Sequence, residues 1–197
     1  DAAVMLIDAA KGVEPQTRKL FEVCRMRGIP IFTFMNKMDR PAREPLDLLD
    51  ELEKVLGIRS CPMSWPIGAG DRFKGVFDRQ TNEVIVFDKG GSANAKYKLT
   101  AKKYKDINDP ALTSFMGELA DQVKSELELV GMAGDTFDLD QVLAGQLSPV
   151  FFGSAMNNFG VQHFLEKFIE IAPTPAARKS SAGVVEPTNP AFSGFIF

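Results

Sequence analysis

Ile29-Pro30-Ile31-Phe32-Thr33-Phe34-Met35-Asn36-Lys37-Met38-Asp39-Arg40 is the stretch from which the fold of this chain can be read. A short apolar run, rich in β-branched and aromatic residues, stops at a polar turn. Such a run reads as a buried strand of a parallel sheet. Open α/β sheets place ligand contacts at the carboxyl ends of these strands. The residue types at this end favour one kind of ligand. An ionised Asp39 accepts two parallel hydrogen bonds from the N1–H and exocyclic N2–H₂ of a guanine base, a fork that adenine does not offer. Lys37 can lay its methylene stem along the base plane. Asn36 can tie the turn to its neighbours through both its amide donors and its acceptor. Without a ligand the same residues make an ordinary strand-end turn with an Asx cap, but the strand context meets what the base-binding reading requires.

A second strand end, far along the chain, matches the first. Ser148-Pro149-Val150-Phe151-Phe152-Gly153-Ser154-Ala155 is another apolar run closing in small residues, followed by Met156-Asn157-Asn158-Phe159-Gly160. Beyond it Val161, Phe164, Leu165, Phe168, Ile169 and Ala172 fall at helical spacing and predict one apolar stripe. His163 lies off that stripe and is expected to be solvated. Strand, small-residue turn and helix together resemble the Ser-Ala-x element of GTP-binding proteins, which implies that the backbone N–H at Ala155 faces the guanine O6 and that a small side chain there lets the base lie against the backbone. Asn36, Lys37 and Asp39 with Ser154, Ala155 and Met156 are therefore the candidate base-binding residues.

Between these ends the chain alternates. Ala2–Asp8 predicts a buried strand, Pro15 to about Arg27 a helix with Pro at its first position and Gly28 after its end, and 44–56 a second helix closed by Gly57. Strand, helix, strand, helix at these spacings is βαβα around a parallel sheet. Residues 62–147 interrupt the pattern. Phe73–Arg79 and Val84–Asp88 read as a hairpin, and Lys89-Gly90-Gly91-Ser92 as a loop. Leu112, Phe115, Leu119, Val123, Leu127 and Val130 form a helical stripe, with Glu118, Asp121, Glu126 and Glu128 as an acidic outer face. A short helix is expected near Asp138–Leu143. Residues 173–191, rich in Pro, Ala and Ser, read as a linker, and 192–197 as the opening strand of a following β domain.

The composition excludes several function classes. Of 197 residues, 45% are hydrophobic and 25% charged, as in globular domains. No apolar run approaches the ~18 residues that span a bilayer, so no membrane partner and a cytoplasmic location are expected. A net charge of −3 does not favour DNA or another polyanion as a partner of the whole chain. Cys24 and Cys61 are isolated, with no metal or redox spacing. Lys96-Tyr97-Lys98-Leu99 and Lys102-Lys103-Tyr104-Lys105 interleave cations with aromatics as RNA-binding surfaces do. Lysines that guard an exposed strand edge account for them more simply.

Together the two strand ends resemble the base-recognition half of a P-loop GTPase. An insertion between the Asn-Lys-x-Asp helix and the Ser-Ala strand is characteristic of the elongation factor G and release factor 3 branch of translational GTPases. Ile7-Asp8-Ala9-Ala10-Lys11-Gly12-Val13-Glu14, Phe34–Arg40, Trp65-Pro66-Ile67-Gly68, Pro149–Ala155 and Phe159-Gly160-Val161 resemble the bacterial release factor 3 family. The expected fold is α/β: a GTPase core at 1–61 and 148–172, with an inserted α+β subdomain at 62–147. The resemblance implies GTP or GDP as ligand, the ribosome and a class I peptide release factor as partners, and release-factor recycling as the role. An elongation factor G-like translocase, or a guanine-binding or ribosome-docking module without hydrolysis, is the alternative. No Gly-x-x-x-x-Gly-Lys-Ser/Thr occurs in the chain, and no Asp-x-x-Gly stands where a γ-phosphate sensor would. No catalytic residue is therefore expected within it. Mg²⁺ is expected only through an upstream half, and residues 1–197 alone should hydrolyse no GTP. Trp65 is expected to anchor the two lobes. The insertion is expected to carry its own core and to serve partner binding, so that replacing 71–146 by a linker leaves GDP affinity within a few-fold.

Overall fold

A strand buried on both faces must be covered from both sides, and the second strand of this chain has only one exposed end. In the computed structural model, which describes residues 1–87, 101–181, 183–192 and 194, Ile31–Met35 are buried and Asn36 emerges at the rim. The elements in order are β1 (Ala3–Asp8), α1 (Pro15–Met26), β2 (Ile31–Asn36), α2 (Pro45–Leu56), β3 (Arg59–Pro62), β4 (Ser64–Ile67), β5 (Gly75–Asp78), β6 (Glu83–Phe87) and β7 (Ala101–Tyr104). They continue with α3 (Pro110–Met116), α4 (Leu119–Ala133), α5 (Leu139–Leu143), β8 (Leu147–Phe152), α6 (Val161–Ile171), β9 (Arg178–Ser180) and β10 (Gly183–Val185). A single 3₁₀ turn, Gly70–Arg72, stands between β4 and β5.

Four strands make a parallel sheet in the order β1-β2-β8-β3. Strand β8 is therefore interior although it is made last, and all six of its residues are buried. Its buried hydroxyl is satisfied inside the sheet: Ser148 Oγ lies 2.9 Å from the Ile31 carbonyl oxygen and 2.8 Å from Thr33 Oγ1. Helices α1 and α2 both begin at Pro, whose missing N–H costs nothing at that position. Helix α2 buries Leu48, Leu49, Leu52 and Leu56, each contributing about 1.5–3 kcal/mol. Gly57, at φ 67°, ends it in the left-handed conformation. Glu53 then reaches past the turn, and its Oε1 accepts from Ser60 N–H at 2.9 Å and from Ser60 Oγ–H at 2.6 Å. That contact fixes where β3 enters the sheet.

The insertion carries an antiparallel sheet, β4-β5-β6-β7, with α3 and α4 against it. Its hairpin falls where the sequence predicts. Lys102 and Lys103 lie on β7, the outer strand of this sheet among the described residues, in keeping with the edge reading. Residues 89–92 and 96–99 lie outside the described residues. The expectation of a separate core is not met. Trp65, Phe73, Phe77, Val84, Leu112, Leu119 and Val123 belong to one buried cluster that also holds Ile7, Met35, Leu52, Val150 and Phe152. Trp65, fully buried, is the joint: its ring lies 5.6 Å from that of Phe152, and its Nε1–H donates to Glu126 Oε2 at 2.8 Å. Glu126 thus turns inward, away from the acidic outer face the sequence suggests. Phe115 in turn leaves its predicted stripe and is exposed, with the Lys74 ammonium 4.8 Å above its ring.

Two further expectations are corrected. Helix α6 is rotated from its predicted phase: His163, Phe164 and Ile171 are buried, whereas Leu165 and Ile169 are 47% and 78% exposed. His163 is 8% exposed, not solvated. Helix α5, placed in the insertion by the sequence, packs Val142 with Phe32, Phe34, Phe151 and Phe164 under the core sheet. Within 173–191, β9 and β10 form a small exposed ladder.

Candidate base-binding site

The parallel register brings the two predicted strand ends side by side. Thr33, Phe34 and Met35 pair with Val150, Phe151 and Phe152. Gly153 N–H then donates to the Met35 carbonyl at 2.9 Å, and Met38 N–H to the Gly153 carbonyl at 3.1 Å. Only a residue without Cβ fits at 153, because a methyl carbon there would lie 2.6 Å from Phe34 Cζ and collide with the Phe159 carbonyl oxygen. The two loops are thus pinned to each other before any side chain is considered.

Asn36 completes the pin. Its Oδ1 accepts from Lys37 N–H at 2.8 Å and from Ala155 N–H at 2.9 Å. The Ala155 amide expected to face a ligand is therefore already turned to Asn36, and a ligand oxygen would share it. Ser154 is fully buried; it exchanges backbone hydrogen bonds with Phe159, each 2.9 Å, and closes the loop 154–159 as a small antiparallel bridge. Met156 is exposed at the tip.

Lys37 sits at φ 69°, a conformation that costs a side-chain-bearing residue on the order of 1–3 kcal/mol. Its ammonium pairs with Asp8 Oδ2 at 2.6 Å. Asp8 lies beside Asn36 in the β1–β2 register, so the carboxyl end of β1 supplies the anchor. The hydrogen bond from Lys37 holds the Asp8 carboxyl below the usual carboxylate range, with the Ala10 N–H, 2.9 Å from Asp8 Oδ1, adding to it. Sequence reasoning missed Asp8 as part of this site, although it closes the apolar run Ala2–Ile7 as Asn36 closes the next one.

Asp39 Oδ1, like Gln141 Oε1 and His163 Nε2, is shielded from solvent and finds no hydrogen-bond partner among the described residues. A buried carboxylate oxygen left unmatched costs stability, and a ligand donor at this rim would match it. Beneath it the fully buried Met38 plugs the loop. The six predicted residues are thus brought to one rim of the sheet. Among the described residues there is no cluster of three or more His, Cys, Asp or Glu able to hold a metal.

A family model of the elongation factor Tu GTP binding domain matches residues 1–174. The chain belongs to this GTP-binding domain family. The family is one of guanine-nucleotide binders, which agrees with the loop chemistry. The domain is also similar throughout to proteins named peptide chain release factor 3. It is 57% identical to that of Rippkaea orientalis, 56% to that of Synechococcus elongatus and 54% to that of Symbiobacterium thermophilum. Each match takes in the whole of this chain but only 36%, 35% and 37% of the respective relative, so the chain spans about a third of their length. The chain is a mixed α/β fold whose core is a four-stranded parallel sheet, and among the described residues no helix is long and apolar enough to cross a membrane.

Proposed function

We propose that Asn36, Lys37, Asp39, Ser154, Ala155 and Met156 hold the guanine base of GTP or GDP. The complete protein is then a cytoplasmic, ribosome-dependent GTPase of translation termination that promotes recycling of class I release factors. The names of the relatives support termination over translocation. The observation that carries the base assignment is the rim itself, where Asn36 Oδ1 joins both loops and Asp39 Oδ1 has no hydrogen-bond partner among the described residues.

The chemistry of these residues is recognition. Asp39 reads N1–H and N2–H₂ together, and a base with an amine in place of O6 fails both at the carboxylate and at the Ala155 amide. Lys37, held by Asp8, lays its stem against one face of the base. Phosphates and Mg²⁺ supply most of the affinity and the transition-state stabilisation in phosphoryl transfer. Residues 1–197 contain no motif for them, so we assign both to other parts of the complete protein.

The test is Asp39→Asn in the complete gene product. One acceptor becomes a donor, and each hydrogen bond to the charged group is worth roughly 1.5–3 kcal/mol, so GDP affinity should fall at least about tenfold. Xanthosine diphosphate, which carries an oxygen in place of the exocyclic amine, should gain affinity. Equal GDP affinity in variant and wild type, measured by titration calorimetry, would remove Asp39 from the site.

A further inference from the structure

The insertion does not stand clear of the base-binding loops. It touches both of them. At the first loop, Gly70 N–H of the 3₁₀ turn donates to the Met38 carbonyl at 2.8 Å, on the peptide that leads into Asp39. At the second, the Phe87 ring of β6 stacks on Phe159 with centroids 4.7 Å apart and planes 15° from parallel. Phe73 closes the group, 6.0 Å from Phe87 and 6.2 Å from Phe159. All three rings are buried. Phe159 is also the residue whose backbone holds Ser154 by paired hydrogen bonds, and Ser154 immediately precedes the amide that Asn36 grips. One ring stack therefore separates the insertion sheet from the Ser154–Met156 turn.

We infer that Phe87 is a positioning residue for guanine recognition: it acts through Phe159 to hold the 154–156 turn against Asn36, and so makes the insertion part of the apparatus that sets nucleotide affinity. This rests on the guanine assignment above. A side chain that only filled space would lower the folded fraction and leave the bound lifetime of folded molecules alone. A positioning residue changes that lifetime, because the base is released when its turn drifts. The consequence reaches further than one side chain. Any partner that shifts the β5–β6 hairpin relative to α6 pulls on the same stack, so occupation of the insertion and retention of nucleotide are thermodynamically linked, each altering the other by the same factor.

The experiment uses the complete gene product and a fluorescent GDP chased with excess GDP, which reads the dissociation rate of bound molecules only. Phe87→Ala should raise that rate by about 5-fold or more, the lower end of typical coupling between sites. Phe87→Leu, which keeps most of the volume but not the stacking face, should fall between Phe87→Ala and wild type and serves if the alanine variant does not fold. Phe159→Ala should raise the rate as well, and Phe87→Ala added to it should do little more, since both act on one contact. Asp39→Asn is run alongside. If it loses GDP affinity while the Phe87 variants release GDP at the wild-type rate, the guanine assignment stands and the positioning role is overturned. If Asp39→Asn binds GDP as wild type does, the guanine assignment itself falls, and the inference with it. Equal and additive effects of Phe87→Ala and Phe159→Ala would also overturn it, because they would show two independent packing losses.

Discussion

Asn36 Oδ1 and the amide nitrogen of Ala155 are 2.9 Å apart, joining two strand ends that lie 119 positions apart in the chain. The same oxygen holds the Lys37 N–H, so a single side-chain atom ties together both turns of a rim whose loops are already joined by the backbone at Gly153.

Asn36→Ala should therefore release both turns at once. It removes the acceptor of two backbone donors, the half-buried Lys37 amide, where the loss is about 1–3 kcal/mol, and the Ala155 amide, which is open to water. Hydrogen exchange at the Ala155 and Lys37 amides should accelerate together, and GDP affinity should drop about tenfold, equivalent to ~1.4 kcal/mol, because the base must then order the two turns itself. Acceleration at only one of the two amides would show that the turns are held separately.

Asp8→Asn keeps an acceptor for Ala10 but loses the charge that holds Lys37. Because the Asp8 carboxyl in the folded protein titrates below its usual range, its contribution to stability is complete above the ordinary carboxylate value of about 4 and is lost as the pH falls below it. The stability gap between wild type and Asp8→Asn in urea titrations should be constant from pH 8 to 5 and shrink in acid. A gap that vanishes at neutral pH would mean the pair contributes nothing.

His163 predicts the opposite end of the scale. Burial pushes its imidazole below its ordinary value, and Asp78 Oδ2, 3.8 Å from Nε2, only partly offsets that; Lys167 and Lys103 oppose protonation and Glu166 favours it. Asp78 is itself engaged, its Oδ1 accepting from Gln80 and Thr81 N–H. The unfolded chain binds a proton near pH 6.5 that the folded protein resists, so this contribution to stability is full above about 6.5 and declines as the pH falls toward the lower folded value. His163→Gln should flatten that decline in melts taken from pH 8 to 5.

Cysteine chemistry separates the two thiols. Burial beneath the sheet raises Cys61 to about 11, while Cys24 is half-buried on α1. Only the thiolate reacts, so a chromogenic disulfide reagent at pH 8 should label one thiol per native chain and the second only on unfolding. Mapping the first label to Cys61 would contradict the packing of β3.

Much of this was legible in the sequence, and what was not shares a physical origin. The Asn36–Asp39 turn, helix α2 with its Gly57 stop and the 75–87 hairpin are local: their signals lie within a dozen residues. Strands β3 and β4, four residues each, are too short to show a period. The phase of α6 failed because Leu165 and Ile169 advertise an apolar face, while the buried side is built on Phe164 and Ile171 and on His163, whose ring packs edge-on against Phe151. Glu126 reads as an outer acid next to Asp121, and only the indole of Trp65, 61 positions away, turns it inward. Asp8 was missed because its partner Lys37, 29 positions on, stands in the turn that follows the neighbouring strand.

The place of β8 governs how the molecule can be made. It fills the gap between β2 and β3, with Ser148 bonded to Ile31 across 117 positions. A chain emerging from its amino end must keep the facing flanks of β2 and β3 unpaired while the whole hairpin sheet and its helices are synthesised. At about 5–20 residues per second that is a delay of several seconds. During it the apolar strand Ile31–Met35 is an open template for the wrong neighbour. The nascent protein is therefore most exposed to misassembly while residues 63–146 are being added, and slowing translation over that stretch should lower its soluble yield more than the same slowing beyond residue 152.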